Sequence, residues 1–499
     1  MPLVIIFLVI LMLLFFFLKH KSRSENVRLP PGPKGLPLIG NLHQLDNSNL
    51  PFYLWQLSNQ HGPLVFLRLG LKPTLVVSSA KMAKETLKTH DLEFSSRPAL
   101  RSLQILSYNG QDIGFSPYNA YWREMRKICV IHLFSNTRVQ TFRPIREYEV
   151  SLMVRKISKL ANASKPCNLN EALMFLTSTI ICRTAFGKRY EDEAAERTRF
   201  ESLLNETEEL LAGSFLSDYL PCMSWFDRLT GMLPRLEKTF VELDYFYDEL
   251  IKEHLDPKRP EPEREDILDI LLQLWKDSSS KSNLTMDHIK GVLMNVFVAG
   301  TSTSAATVVW AMVFLMKNPT IMKKTQKEIR NLIGRKGLVN EDDVQRLPYL
   351  KAVVKETMRF RAVNPLLIPK ETTQKCYING YVIPAKTLVF VNAWAIGRDP
   401  EAWENPEEFY PERFIDNPID FKGQDFRLVP FGAGRRTCPG LHMGIATVEL
   451  SLANLLYNFD WEMPTGMKEE DIDTEALNGI TVHKKNALCL MATNFIYDV

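Results

Sequence analysis

The chain has no Cys-x-x-Cys pair, no cluster of cysteine with histidine and no regular cysteine framework; its seven cysteines, at 129, 167, 182, 222, 376, 438 and 489, are scattered. That scatter excludes a zinc ribbon or finger and a disulfide-stapled secreted scaffold, and it fits a reducing compartment in which six of the thiols are buried and inert. Net charge is also scarce. At +3 over 499 residues, with Lys and Arg interleaved among Asp and Glu, nothing in the pattern calls for a nucleic-acid partner. There is no internal repeat after residue 40, and the largest polar interruption, residues 256–265, reads as a loop between helices. Long apolar runs are missing too, with one exception at the start.

Residues 1–18 are uncharged and almost wholly apolar, and Lys19, His20, Lys21 and Arg23 follow directly. About 18 to 20 residues rising 1.5 Å each just cross a hydrocarbon core roughly 30 Å thick. Bulky residues from Leu13 to Leu18 stand where a cleavable signal would carry small ones, so an uncleaved single-pass anchor is expected. The basic flank would hold the rest of the chain on the cytosolic side. There the short sequons at Asn162, Asn205 and Asn283 are expected to be unused. Residues 29–37, Leu-Pro-Pro-Gly-Pro-Lys-Gly-Leu-Pro, fix φ repeatedly and remove amide donors. The expected organisation is therefore an anchor helix over 1–18, a basic flank and stiff Pro-rich hinge over 19–40, and one globular domain over 41–499.

Within that domain, helix-like apolar spacing covers 138–160, 195–212, 236–254, 285–316, 319–333 and 447–458, while 64–69, 74–77 and 387–391 read as strands. The fold class is mainly α with minor β. The helix 285–316 carries the small-residue run Ala299-Gly300-Thr301-Ser302-Thr303-Ser304-Ala305-Ala306. A helical glycine costs about 1 kcal/mol against alanine, so it marks a close approach, either of another helix or of a flat cofactor.

The chemistry concentrates at Phe431-Gly432-Ala433-Gly434-Arg435-Arg436-Thr437-Cys438-Pro439-Gly440, ahead of an apolar helical pattern over 441–456. A thiolate at Cys438 would meet the positive end of that helix. Pro439 has no amide proton, so sulfur would accept from the amides of Gly440 and Leu441. Arg436 can pair with a carboxylate of a cofactor, and Gly434 would let the loop approach a planar macrocycle. Taken alone, a glycine loop with one cysteine is also an ordinary structural turn.

The spacing Phe-x-x-Gly-x-Arg-x-Cys-x-Gly resembles the haem-binding signature of cytochromes P-450, with every defining position present. The Pro-rich stretch 30–37, Ser96-Arg97-Pro98, Trp122-Arg123-Glu124-Met125-Arg126, Glu356-Thr357-Met358-Arg359 and Phe409-Tyr410-Pro411-Glu412-Arg413-Phe414 resemble that family's other landmarks in order, over nearly the whole chain. The region 392–400, Asn-Ala-Trp-Ala-Ile-Gly-Arg-Asp-Pro, resembles plant microsomal A-type members of the family seventy-one and eighty-three group.

The resemblance implies a single-domain P-450 fold holding haem b through the Cys438 thiolate. It implies that Trp122, Arg126, Lys370 and Arg436 meet the haem propionates, that Phe431, Gly434 and Gly440 shape the haem loop, and that Glu356, Arg359 and Arg413 form a buried cluster bracing that loop. Substrate contacts implied by position are Leu103 and Ile105 in an irregular loop over 99–120, Val296 and Ala299 on the long helix, Val363, Leu366 and Leu367, and Ile480. The implied reaction is oxidation of a small apolar specialised metabolite by O2 in the endoplasmic reticulum membrane. Its electrons would come from NADPH through a flavoprotein reductase docking near Arg123, Lys127 and Arg435.

The sequence departs from the family pattern in three places. Ser302 replaces the usual acid before Thr303, residues 361–365 (Arg-Ala-Val-Asn-Pro) replace a His-Pro stretch, and Lys370 stands where Arg is common. Lys offers a point charge where Arg offers a planar fork. Thr303 is expected to order a water for proton delivery, with Ser302 unable to supply an acid's charge. That gap leaves open a haem-thiolate dehydratase or rearrangement enzyme, for example on an aldoxime. A non-catalytic haem carrier or sensor is the third class.

Overall fold

The computed structural model describes residue 12 and residues 28–496 other than 47, 191–193, 278–282 and 478, with backbone alone at 194–196. Apart from residue 12, the expected anchor over 1–18 and the flank up to residue 27 lie outside the described residues. The helices that position the site are α1 (Ala120–Ile128), α2 (Arg143–Asn162), α3 (Leu169–Phe186), α4 (Met232–Leu255), α5 (Met286–Lys317), α6 (Pro348–Phe360) and α7 (Leu441–Asn458).

Helix α5 is the axis of the core and packs on α3, α4, α6 and α7. Its start is set by Thr285, whose side chain accepts from His288 N while the His288 ring accepts from Thr285 N. Although α5 is long and apolar enough to span a bilayer, 83% of its most apolar window is buried inside the protein, which makes it a core helix. Helix α3 has no counterpart among the expected helices. Its residues are buried on nearly every face, from Leu173 through Phe186, so no 3.6-residue period of apolar positions exists to reveal it.

Strands β1 (Leu64–Leu69), β2 (Lys72–Val77), β3 (Lys370–Glu371) and β4 (Leu388–Val391) form a sheet in the order β1-β2-β4-β3. β1 and β2 pair antiparallel, β2 and β4 parallel from Thr74↔Leu388 to Val77↔Val391, and Lys370 of β3 faces Val389 of β4. Leu75 and Val77 enter one apolar cluster and Val76 the other, the period-two alternation of a sheet covered on both faces.

The Pro-rich stretch, expected as a stiff hinge, also packs on the sheet. Pro31 O accepts from Phe66 N at 2.8 Å, and Asn41 N donates to Arg68 O at 2.6 Å, so the segment lies along the outer edge of β1. Prolines lack donors yet can offer carbonyls, which suits them to a sheet edge. Gly32 is needed there, because a Cβ would sit 2.0 Å from Phe66 O.

Candidate active site around Cys438

The residues before α7 fold back on themselves so that Cys438 N donates to Phe431 O at 2.9 Å, and its sulfur accepts from the Gly440 amide. Burial raises the Cys438 thiol, while the Gly440 amide and the nearby Arg126 guanidinium oppose that rise. Gly434 serves a different purpose from the one its position suggested. At φ +70° its missing Cβ would lie 2.3 Å from Leu87 O and 2.6 Å from Asp91 Oδ1, so it admits the neighbouring turn. Of the loop's glycines it is Gly432, with φ +67°, and Gly440 that stand on the cavity wall.

One cavity lies between this loop and α5, and Cys438, Gly440, Phe431 and Thr303 all line it. Four cations reach its wall: Arg97, Arg126, Lys370 and Arg436. Arg126 donates to Thr437 O. Arg436 donates to Ser95 O at 2.8 Å and Ser116 O at 2.7 Å, and its guanidinium lies 3.9 Å over the Trp122 ring. Trp122 itself is absent from the wall. Its indole N–H is directed to Ile113 O at 3.0 Å, so it supports Arg436 from behind. Arg97, seen in the sequence only as a landmark, donates to Gly114 O, Ile368 O and Pro369 O at 2.6–2.9 Å.

Lys370 is the outlier, since it is buried on β3 and its Nζ has no hydrogen-bond partner. Burial, then Arg97 and Arg436 beside it, bring its pKa from 10.5 down to about 7. An orphaned ammonium aimed into an apolar slot, flanked by guanidiniums and facing a thiol, fits a flat dianionic ligand whose centre binds sulfur. Haem meets that description, with Arg97, Lys370 and Arg436 able to hold its carboxylates and Cys438 its iron.

The Cytochrome P450 family profile matches residues 30–491. The chain belongs to the cytochrome P450 family. A 5-OH-xanthotoxin synthase from Pastinaca sativa is 51% identical over 99% of both chains, and Cytochrome P450 71A9 from Glycine max is 49% identical over 96% of this chain and 95% of its own. A solved zebrafish cytochrome P450 with progesterone superposes with a TM-score of 0.76 at 27% identity, covering 89% of this chain and 99% of that one. This P450 is thus a haem-thiolate monooxygenase of the plant A type. When bound, haem supplies oxygen activation, helped by electron density from the thiolate.

Of the expected substrate contacts in this P450, Val296, Ala299, Val363, Leu367 and Ile480 line the cavity, whereas Leu103, Ile105 and Leu366 do not. Leu103 and Ile105 sit on a short helix, Arg101–Leu106, where the sequence suggested irregular loop, and both pack into the apolar cluster shared with α4. Leu366 packs under the sheet. The part of 99–120 that does reach the cavity is Ile113, Gly114 and Phe115. Gly300 answers to both close approaches left open by the sequence: it lines the cavity, and a Cβ on it would meet Ile181 Cδ1 of α3 at 2.5 Å.

Thr303 lines the cavity with its hydroxyl proton donated to Ala299 O at 2.7 Å, so toward the cavity it is an acceptor for a water. Ser302 is fully buried, away from the cavity wall, and shares a hydrogen bond with Thr481 at 3.1 Å. Thr481 does line the cavity. Among the described residues, the side-chain hydrogen bond from Ser302 toward the cavity therefore runs through that hydroxyl.

The buried cluster is present. Glu356 accepts from Arg359 Nε at 2.7 Å and Nη2 at 2.8 Å, from Arg413 Nε at 3.2 Å and from Tyr410 N at 2.8 Å. The remaining guanidinium donors go to the carbonyl of Gly397 and to carbonyls of 404–408, including Pro406 O at 2.8 Å. The cluster thus braces the 397–413 segment directly; none of these bonds reaches the 431–440 loop.

Removing the Lys370 charge tests the anion cradle. A lysine whose folded pKa is lowered opposes folding in full below that pKa, and the opposition fades only as pH rises from there toward the ordinary value of 10.5. An anion alongside restores the proton, so haem should be held less tightly above about pH 7 than below it. Lys370→Met is expected to speed haem transfer to apomyoglobin on the order of tenfold at pH 6.5, the scale of one charge-assisted hydrogen bond, and to flatten this pH dependence. Lys370→Arg should retain haem at all pH values.

Proposed function

We propose that this P450 hydroxylates a small, flat, largely apolar plant specialised metabolite at the cytosolic face of the endoplasmic reticulum, anchored by residues 1–18. Its electrons come from NADPH through a flavoprotein reductase in the same membrane. The observation that carries this reading is the make-up of the wall beside Cys438. Ile113, Phe115, Val296, Ala299, Val363 and Ile480 are apolar, and Asn295, Thr303 and Thr481 are among the few polar groups that interrupt them. Such a pocket orients a greasy ligand through a small number of fixed polar contacts. The Pastinaca relative is named for a hydroxylated product, which supports oxygen insertion.

Arg123 and Lys127 are exposed on α1, the helix whose Arg126 donates to Thr437 O of the cysteine loop, and would offer the reductase a basic face. Arg435 contributes less, because Asp91 pairs with it at 3.2 Å. Ser302 is the residue that favours the second reading, dehydration or rearrangement without net oxygen insertion.

The test is turnover of xanthotoxin and of an aromatic aldoxime by the membrane-bound protein with plant reductase. Hydroxylated product that requires both NADPH and O2 supports the proposal, and anaerobic conversion of the aldoxime without NADPH would replace it by the second reading. In the same assay, Ser302→Asp is expected to raise product per NADPH by on the order of threefold to tenfold, a small part of what a positioned acid can contribute. Unchanged coupling would show that water reaches the site by another path.

A further inference from the structure

The segment 110–116 is built as a two-sided strip. Its start is folded by Ser107, whose hydroxyl accepts from Gly110 N at 2.8 Å and whose carbonyl accepts from Gln111 N at 2.8 Å. The amides of residues 113–116 point to two side chains. Asn295 Oδ1 accepts from Ile113 N at 3.1 Å and Gly114 N at 3.0 Å, while Asp112 Oδ1 accepts from Phe115 N at 2.9 Å and Ser116 N at 2.8 Å. Asn295 Nδ2 then donates to Asp112 Oδ2 at 2.8 Å, which locks the two together.

The carbonyls of the same residues point the other way. Ile113 O takes the Trp122 indole, Gly114 O takes Arg97 and Ser116 O takes Arg436. Two glycines admit this closeness independently. A Cβ on Gly291 of α5 would lie 2.5 Å from Gln111 O, and one on Gly114 would lie 3.2 Å from Asn295 Nδ2.

We infer that Asn295 and Asp112 are positioning residues that fix the Ile113–Phe115 wall over Cys438 and so set the size of ligand this P450 accepts there. The inference rests on reading the cavity as the substrate site. Asn295 lies on the wall but spends its amide on the strip, so it shapes the space without having to touch the ligand. Because the strip's other edge holds Arg97 and Arg436, the substrate wall and the cofactor cradle are one unit.

The pair permits an exchange of roles. Asp112→Asn alone sets two amide NH2 groups against each other, and Asn295→Asp alone sets two carboxylates against each other. The double variant D112N/N295D restores the central bond with its direction reversed, keeps an Oδ1 acceptor for the amides of residues 113–116 and keeps the charge, losing only the second, longer contact of Phe115 N at 3.1 Å. The haem-loaded proteins are titrated with imidazole, which needs only the position beside the iron, and with 4-phenylimidazole, which also needs the wall. Both are read by ferric difference spectra.

Each single variant is expected to change 4-phenylimidazole affinity by about tenfold, the scale of a buried hydrogen bond replaced by an unsatisfied group, and imidazole affinity by less than about twofold. The double variant should return to within about threefold of the parent. Gly114→Ala, which pushes on Asn295 without touching its polarity, should move the same ratio in a smaller degree. Equal shifts for both ligands in the single variants, or a double variant as impaired as either single, would overturn the proposal. Failure of 4-phenylimidazole to bind the parent protein would instead overturn the reading of the cavity.

Discussion

Glu356→Gln is expected to cost about 3–5 kcal/mol of stability, the scale measured when one member of a buried ion cluster is removed. Glu356 and Arg359 have fully buried side chains and Arg413 is 9% exposed, so no water is available to replace the lost carboxylate. The substitution keeps size and one carbonyl oxygen, yet it puts an NH2 donor against guanidinium donors and leaves two cations facing each other. Burial of unpaired charge is what makes the effect large; the same pair on a surface would contribute about 1 kcal/mol or less. Against a total of about 5–15 kcal/mol for a folded domain, most of the protein should fail to accumulate with haem. Because Glu356 also holds Tyr410 N, the first region to loosen should be 397–413, visible as faster hydrogen exchange there before global unfolding. A denaturation curve within about 1 kcal/mol of the parent would contradict this account.

How much of this was legible beforehand depended on whether the information was local. The Cys438 loop is encoded by neighbours in sequence, so the thiol and the Gly440 amide could be assigned from ten residues. Helix α5 was legible from its length and small-residue run, and the strands at 64–69 and 74–77 from their composition. Helix α3 was not, because burial on all sides erases the period that a one-sided helix shows. Gly434 and Gly432 are indistinguishable as letters; only the approach of Leu87 O to one and the cavity to the other separates their roles.

The family resemblance carried Leu103, Ile105 and Leu366 to the substrate wall, but side-chain direction on a short helix and under a sheet decided otherwise. Arg97 stood in view as a landmark without a role, since its three acceptors lie 17 to 272 residues away. Asn295 and Asp112 left no signal at all. Their bond spans 183 residues, and single polar letters in an apolar helix and a loop do not announce each other.

The second large effect falls on Cys438. Its sulfur lies just ahead of α7, accepts one amide hydrogen and sits near Arg126, an environment arranged for negative charge. Burial alone would keep it a thiol, so the thiolate would be completed by the iron that this site is proposed to hold. Cys438→Ser should therefore remove the sulfur donor while leaving the Arg97, Lys370 and Arg436 cradle intact, and monooxygenase turnover should fall by at least about a thousandfold, since O–O cleavage depends on that donor. The most direct measurement is the carbon monoxide difference spectrum of the reduced protein, parent beside Cys438→Ser. A thiolate-type spectrum is expected in the parent and none in the variant; a thiolate-type spectrum that survives in Cys438→Ser would place the iron on another residue and contradict the assignment of Cys438.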